Sequence, residues 1–349
     1  MKEAPITHSE SLALRGLAIL AIVLHNYCHW LPGIVRENEY TWTASRCDQL
    51  LAALTQPDAS LPFHLLSFFG HYGVPVFLML SGYGLVMKYE KSGTQVSLPR
   101  FLRYNYLKLL RILVPGFVLF VIVDLLTPHH FHYRLSSLLG VLGMWGNLLS
   151  DPSHSIWPGP YWYFGLTLQL YIVYRLLFYR WRSVWLVIGM TVVCWAVQHW
   201  CGSDATRLEY VRYNCVGGML PFALGILMAR AEFPKPLPHA AWGGVLVASL
   251  LSVGLLSFWY NTWLWAPLFV ATGAVALVKL LPDNALSPLA WTGGISAMLF
   301  IVHPALRKLL IRSYSHDDVG TGLLLYIVSA IAVAWLFSLI IQRIPRPKL

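Results

Sequence analysis

The chain has 349 residues, of which 57% are hydrophobic and 11% charged, with a mean hydropathy of +0.59. Soluble domains carry roughly 25% charged residues, so this composition excludes a pair of soluble domains, and residues 1–349 read as a single integral-membrane domain. The formal net charge of +10 does not point to a nucleic acid, because the basic residues sit in short loops between apolar runs, where the lipid bilayer is the natural partner.

Hydropathy, broken by Pro, Gly and charge, predicts ten spans, at about 11–31, 66–88, 106–126, 161–180, 183–201, 213–230, 240–258, 262–281, 294–312 and 320–343. The expected fold is an all-α polytopic transmembrane helix bundle, and an even count puts both termini on one side. Only Lys2 and two acids precede the first run, with no small-residue cleavage site, so that run is read as a retained span. The piece 135–149, LSSLLGVLGMWGNLL, is too short to span comfortably and reads as an interfacial or re-entrant segment. Lys and Arg in loops and span ends divide sixteen to eight in favour of the side bearing the termini. By the positive-inside bias both termini are then cytoplasmic.

The first span, RGLAILAIVLHNYCHWL from Arg15, carries three costly residues: Arg15, His25 and His29. Ionisable groups within an apolar helix suggest function. At about 1.5 Å and 100° per residue, His25 lies about 15 Å deeper than Arg15 and His29 about 21 Å deeper, both rotated by less than a right angle. All three can therefore face one cavity, and the two histidines, four apart, share a helix face. The second span, FFGHYGVPVFLMLSGYGL at 68–85, offers small residues for close packing, a local break at Pro75, and His71 and Ser81 as pocket candidates. The following loop and helix start, PRFLRYNYLKLLR at 99–111, puts Arg100, Arg103, Lys108 and Arg111 beside two tyrosines, a set that can bind phosphates or lipid headgroups.

Asp124, near the far end of the third span, is the remaining intramembrane acid and can orient a histidine or pair with a cation. The long loops 32–65 and 127–160 hold Glu37, Glu39, several His and the run from Trp157 to Tyr163, including Trp162. Such a surface suits a stacked sugar or an interfacial aromatic belt. In the late span GGISAMLFIVHPALRK, His303 precedes Pro304. Cys28, Cys47, Cys194, Cys201 and Cys215 show no CxxC spacing. They read as core residues, with Cys28–Cys47 the one disulfide left open, and the histidines lack coherent metal-ligand spacing, so no metal is expected.

Taken in order, these stretches resemble the membrane acyltransferase 3 family, which O-acylates surface polysaccharides and related acceptors. RGLAILAIVLH is similar to its first-helix motif, a basic residue followed by His; GVPVFLMLSGYGL to its "GVxxFFxLSG" pattern; Arg100–Arg103 to its RxxR motif; YWYFGLTLQLYIVY to its "LWFL" helix; and ISAMLFIVHP to its "SxxxYLxH" helix. Nine residues separate Arg15 from His25 where the family has ten, Asn26 occupying the next slot, and Gln169 stands where many members have an acid.

The resemblance implies an acyl-CoA donor, acetyl-CoA by default, on the cytoplasmic side, and a glycan or other hydroxyl acceptor, in a bacterial inner membrane. Arg100, Arg103 and Arg15 would then hold CoA phosphates, and His25, with His29 in reserve, would act as general base or acyl carrier. The residues without the resemblance also fit a transporter or flippase for a glycan or lipid-linked sugar, with Arg15 and His25 lining its path.

Overall fold

The computed structural model describes residues 5–231, 237–314 and 318–349. Lys2 and Lys235, which entered the charge count above, lie outside the described residues, as does the side chain of Arg312. Every described element is a helix or turn. In chain order the principal helices are α1 (His8–Cys28), α2 (Ala44–Thr55), α3 (Leu61–Lys91), α4 (Leu98–Leu126), α5 (Leu135–Gly143), α6 (Trp162–Val173), α7 (Val184–Cys201), α8 (Ala205–Arg212), α9 (Cys215–Arg230), α10 (His239–Leu256), α11 (Ala266–Leu280), α12 (Asp283–Gly294), α13 (Ser296–Tyr314) and α14 (Val319–Arg343).

Six of these helices are long and apolar enough to cross a membrane, or eight if the bent pairs α8–α9 and α12–α13 each count as one span. Each of the ten expected positions is helical. The count differs because α6 stops short as regular α-helix, continuing through a π turn at Tyr174–Phe178, and α11 is only 15 residues long. The 135–149 piece is a short helix followed by a 3-10 turn at Gly146–Leu148, too short to cross, as its sequence suggested.

The break in α3 falls at the 3-10 turn Gly70–Tyr72 rather than at Pro75, which sits in the first turn of the helix that resumes at Gly73. A proline is tolerated there because its missing N–H would have had no intrahelical partner.

α1 begins with a capping box: the Thr7 side chain accepts from Glu10 N–H, and the Glu10 carboxylate accepts from Thr7 N–H at 2.8 Å. It ends before the Pro32-Gly33 turn, where Gly33 takes φ +74°. α1 and α3 form the centre of the bundle, with 56% and 61% of their apolar windows buried, whereas only 6% of α10 is buried. α10 therefore belongs to the periphery, and Val247, Leu250, Leu251 and Leu255 on it, with Leu324, Val328 and Ile340 on α14, face outward. Only an apolar solvent accommodates such faces.

Two close crossings hold α1 in place. Against α12, Gly16 and Gly293 lie directly on the backbone carbonyls of Leu289 and Leu12. Against α3, a methyl at Gly70 would meet His25 Cβ at 2.6 Å and the Ala21 carbonyl at 2.7 Å, so only glycine lets the backbones approach this closely. All five cysteines are free; Cys47 Sγ instead donates to the Ser257 carbonyl, so the Cys28–Cys47 pairing does not form. Gly293→Ala is expected to lower stability by about 1–3 kcal/mol by overpacking, seen as loss of monodisperse protein on size exclusion. Gly243→Ala on α10, with nothing within 4 Å, is expected to have no such effect.

Candidate active site

The site is built where the segment after α1 folds back over the helix end. Ser67 of α3 donates from Oγ to the Val35 carbonyl at 2.6 Å, pinning this segment to the bundle. The Ser67 carbonyl in turn lies 2.7 Å from Nδ1 of His25. A carbonyl can only accept, so Nδ1 carries a proton, and in the neutral form of the ring Nε2 is the unprotonated nitrogen.

Glu37 is brought back beside this ring. Its Oε2 accepts from His29 Nδ1 at 2.9 Å, and its Oε1 is 4.0 Å from His25 Nε2, beyond hydrogen-bond reach. Burial disfavours its charge, but His25 and His29 overcome that and hold the Glu37 carboxyl well below the usual carboxylate range. His71 completes the cluster, its ring centroid 5.8 Å from that of His25. The ligand-type atoms of His25, His29 and Glu37 all lie within 4.8 Å of one another, a convergence that ligand spacing along the chain did not reveal. Within this set His29 Nδ1 and Glu37 Oε2 are hydrogen-bonded to each other, and His25 directs Nε2 towards Glu37.

Two cavities meet near His25. The inner one, about 330 Å³, is lined by Arg15, Ser81, Lys88, Asn105, Lys108 and Tyr171 among others. The outer one, about 190 Å³, is lined by His25, His29, Glu37, His71, Trp157, Trp162 and Arg307 among others. Ile22, Val74, Tyr163 and Phe300 line both and form an apolar collar between them. The inner cavity opens at the end of the bundle that also holds the end of α14, because Arg111 donates from Nε to the Ile344 carbonyl at 3.0 Å and from Nη2 to that of Ile341.

The residues expected from the sequence divide accordingly. Arg15, Ser81 and Lys108 line the inner cavity; His25, His29, His71 and Trp162 line the outer. Arg111 is a structural tether that lies outside both of these linings, and Arg100 and Arg103 are exposed away from them. His303 is fully buried, its Nδ1 donating to the Leu299 carbonyl at 3.0 Å, and lies outside both linings. Asp124 pairs with Lys308 and accepts from Phe131 N–H and the Tyr133 hydroxyl, so it serves a cation rather than a histidine. Gln169 bridges Asn214 and the Cys215 N–H, a helix-start staple for α9 that needs no charge.

Ser67, Asn26, Lys88 and the collar were not picked out as site residues from the sequence. Lys88 alone had a usable signal there: it follows the small-residue stretch of α3, and its ammonium stacks 4.0 Å above the Tyr104 ring beside the inner cavity.

Fold and site together define a helical membrane protein whose core sets a histidine between two unlike cavities. A family model described as an acyltransferase domain, that of acyltransferase family 3, matches residues 12–341, nearly the whole chain. The chain belongs to this family and is a membrane acyltransferase. Comparison with curated proteins and with solved structures returned no match.

Glu39, beside Glu37 in the outer cavity, gives a pH test of the site. Burial and the neighbouring Glu37 charge push its carboxyl from 4.5 up to about 8. Between those values the folded chain keeps a proton that the unfolded chain has released, so stability falls as pH rises through the window. Glu39→Gln is expected to flatten the decline in thermal midpoint between about pH 5 and 8, measured by scanning fluorimetry in detergent.

Proposed function

We propose that this protein moves an acyl group, acetyl by default, from cytoplasmic acyl-CoA to a hydroxyl of a glycan or related acceptor. The observation that carries the reading is the hydrogen bond from His25 Nδ1 to the Ser67 carbonyl, which leaves Nε2 with a lone pair in the outer cavity, next to the collar. A neutral imidazole so held suits both roles open to it.

As general base, Nε2 takes the acceptor hydroxyl proton while the oxygen attacks the thioester carbonyl. The tetrahedral intermediate then collapses, and the departing CoA sulfur takes the proton from the imidazolium. As acyl carrier, Nε2 attacks the thioester itself, CoA thiolate leaves, and the acceptor hydroxyl then displaces the imidazole. In the second course the His29–Glu37 pair can receive the hydroxyl proton.

The inner cavity supplies the donor side of this reading. Arg15, Lys88 and Lys108 present three cations at its mouth, suited to CoA phosphates. Tyr163, Phe300, Val74 and Ile22 then meet an acyl thioester as an apolar collar. With the termini cytoplasmic and the protein in a bacterial inner membrane, the inner cavity would meet CoA where cells keep it and the aromatic outer cavity would face the surface glycans. Trp157 and Trp162 there offer faces for sugar stacking.

Membranes with His25→Ala, at matched expression, are expected to lose about 10²–10⁴-fold of labelled acetyl transfer from acetyl-CoA, whereas His29→Ala retains the attacking or proton-accepting atom and loses less. Undiminished transfer by His25→Ala would overturn the assignment. Lys108→Ala is expected to raise the KM for acetyl-CoA several-fold with a smaller change in kcat, and Arg103→Ala to leave that KM unchanged, which steady-state kinetics at saturating acceptor would measure.

A further inference from the structure

Arg307 of α13 is 8% exposed and lines two cavities at once: the outer one with His25, and a lateral one of about 390 Å³. Trp30 and Trp157 line both cavities with it, so these three residues stand at the boundary between them. The Arg307 guanidinium donates to Asn26 Oδ1 at 3.0 Å and lies 4.8 Å from the Trp30 ring centroid. Among the described residues it has no carboxylate partner.

The neighbouring charges are matched. Lys308, the next residue, pairs with Asp124, whose carboxylate also accepts from Phe131 and Tyr133. Glu37 is engaged by His29. Elsewhere the buried Arg230 is held by Glu90 through two bonds, of 2.8 and 3.0 Å. A buried cation left without an anion is costly unless one arrives. The boundary is also aromatic, the Trp157 ring packing on that of Phe131 with centroids 4.3 Å apart. Arg307 is aimed by Asn26, the residue after His25, whose Nδ2 is fixed on the Ile22 carbonyl at 3.0 Å so that Oδ1 faces the guanidinium.

We infer that Arg307, with Trp30 and Trp157, forms an anion subsite for the acceptor: the hydroxyl-bearing substrate is an acidic sugar, its carboxylate or phosphate paired with Arg307 while its ring lies on the tryptophans. This rests on reading the outer cavity as the acceptor site. An anion docked on the guanidinium puts the sugar beside the residue pair Asn26–His25, so a neighbouring hydroxyl is presented to Nε2.

The test uses the full-length protein in nanodiscs of phosphatidylcholine, with tryptophan fluorescence reporting the binding of methyl β-glucuronide, methyl β-glucoside 6-phosphate and neutral methyl β-glucoside. At least one acidic glycoside is expected to bind about tenfold or more tightly than the neutral one, as one charge-assisted contact allows. Arg307→Gln is expected to remove that preference and Arg307→Lys to keep part of it, while both variants retain the wild-type elution profile. Equal binding of all three glycosides, or a preference that survives Arg307→Gln, would overturn the inference. So would loss of the preference in nanodiscs of phosphatidylglycerol at constant ionic strength, which would assign the site to a lipid headgroup. Acetyl transfer is measured separately: acidic-sugar binding without transfer sinks the acyltransfer reading of this site but not the subsite, whereas transfer without charge preference does the reverse.

Discussion

The hydrogen bond between His25 Nδ1 and the Ser67 carbonyl depends on two backbones lying closer than side chains normally allow. Gly70 opens that space: its missing Cβ would fall on His25 and Ala21. With Ser67 fixed, its hydroxyl holds Val35, and Val35 carries the returning segment that brings Glu37 to His29. One crossing thus sets the tautomer of the histidine and the position of its acidic neighbour.

Charge is distributed through the bundle by a simple economy. Where a cation is structural it has a partner: Lys279 with Glu10, Arg230 with Glu90, Lys308 with Asp124. Arg15, Lys88 and Lys108 at the inner cavity and Arg307 at the outer one have no carboxylate partner among the described residues. A low-dielectric interior makes unpaired charge expensive, which applies to the buried Arg307, whereas Arg15 and Lys108 are exposed. The collar of Ile22, Val74, Tyr163 and Phe300 keeps the two ligand regions apart while leaving only side chains between them.

Much of this was legible from the chain. The costly residues of the first span, the glycine-rich second span and the late span beginning at Ser296 are local patterns, and together they specify the family that the match over residues 12–341 establishes. The basic stretch at 99–111 was legible only as a stretch. Arg111 turned to the backbone of α14 and Lys108 to the cavity, although both lie on one helix. Asn26 occupies the slot where the family spacing puts the histidine, and in the fold its Oδ1 accepts from Arg307.

The sequence by itself determined the class of fold, the apolar length of most spans and the identity of the histidine pair, because hydropathy and helical periodicity are properties of short windows. Only the tertiary structure decided which nitrogen of His25 is free, which cations meet a cavity, and that Glu37 lies beside the histidines. Those outcomes depend on contacts between residues far apart along the chain, such as His25 with Ser67 and Asn26 with Arg307. They depend equally on a glycine crossing whose partner no local pattern names.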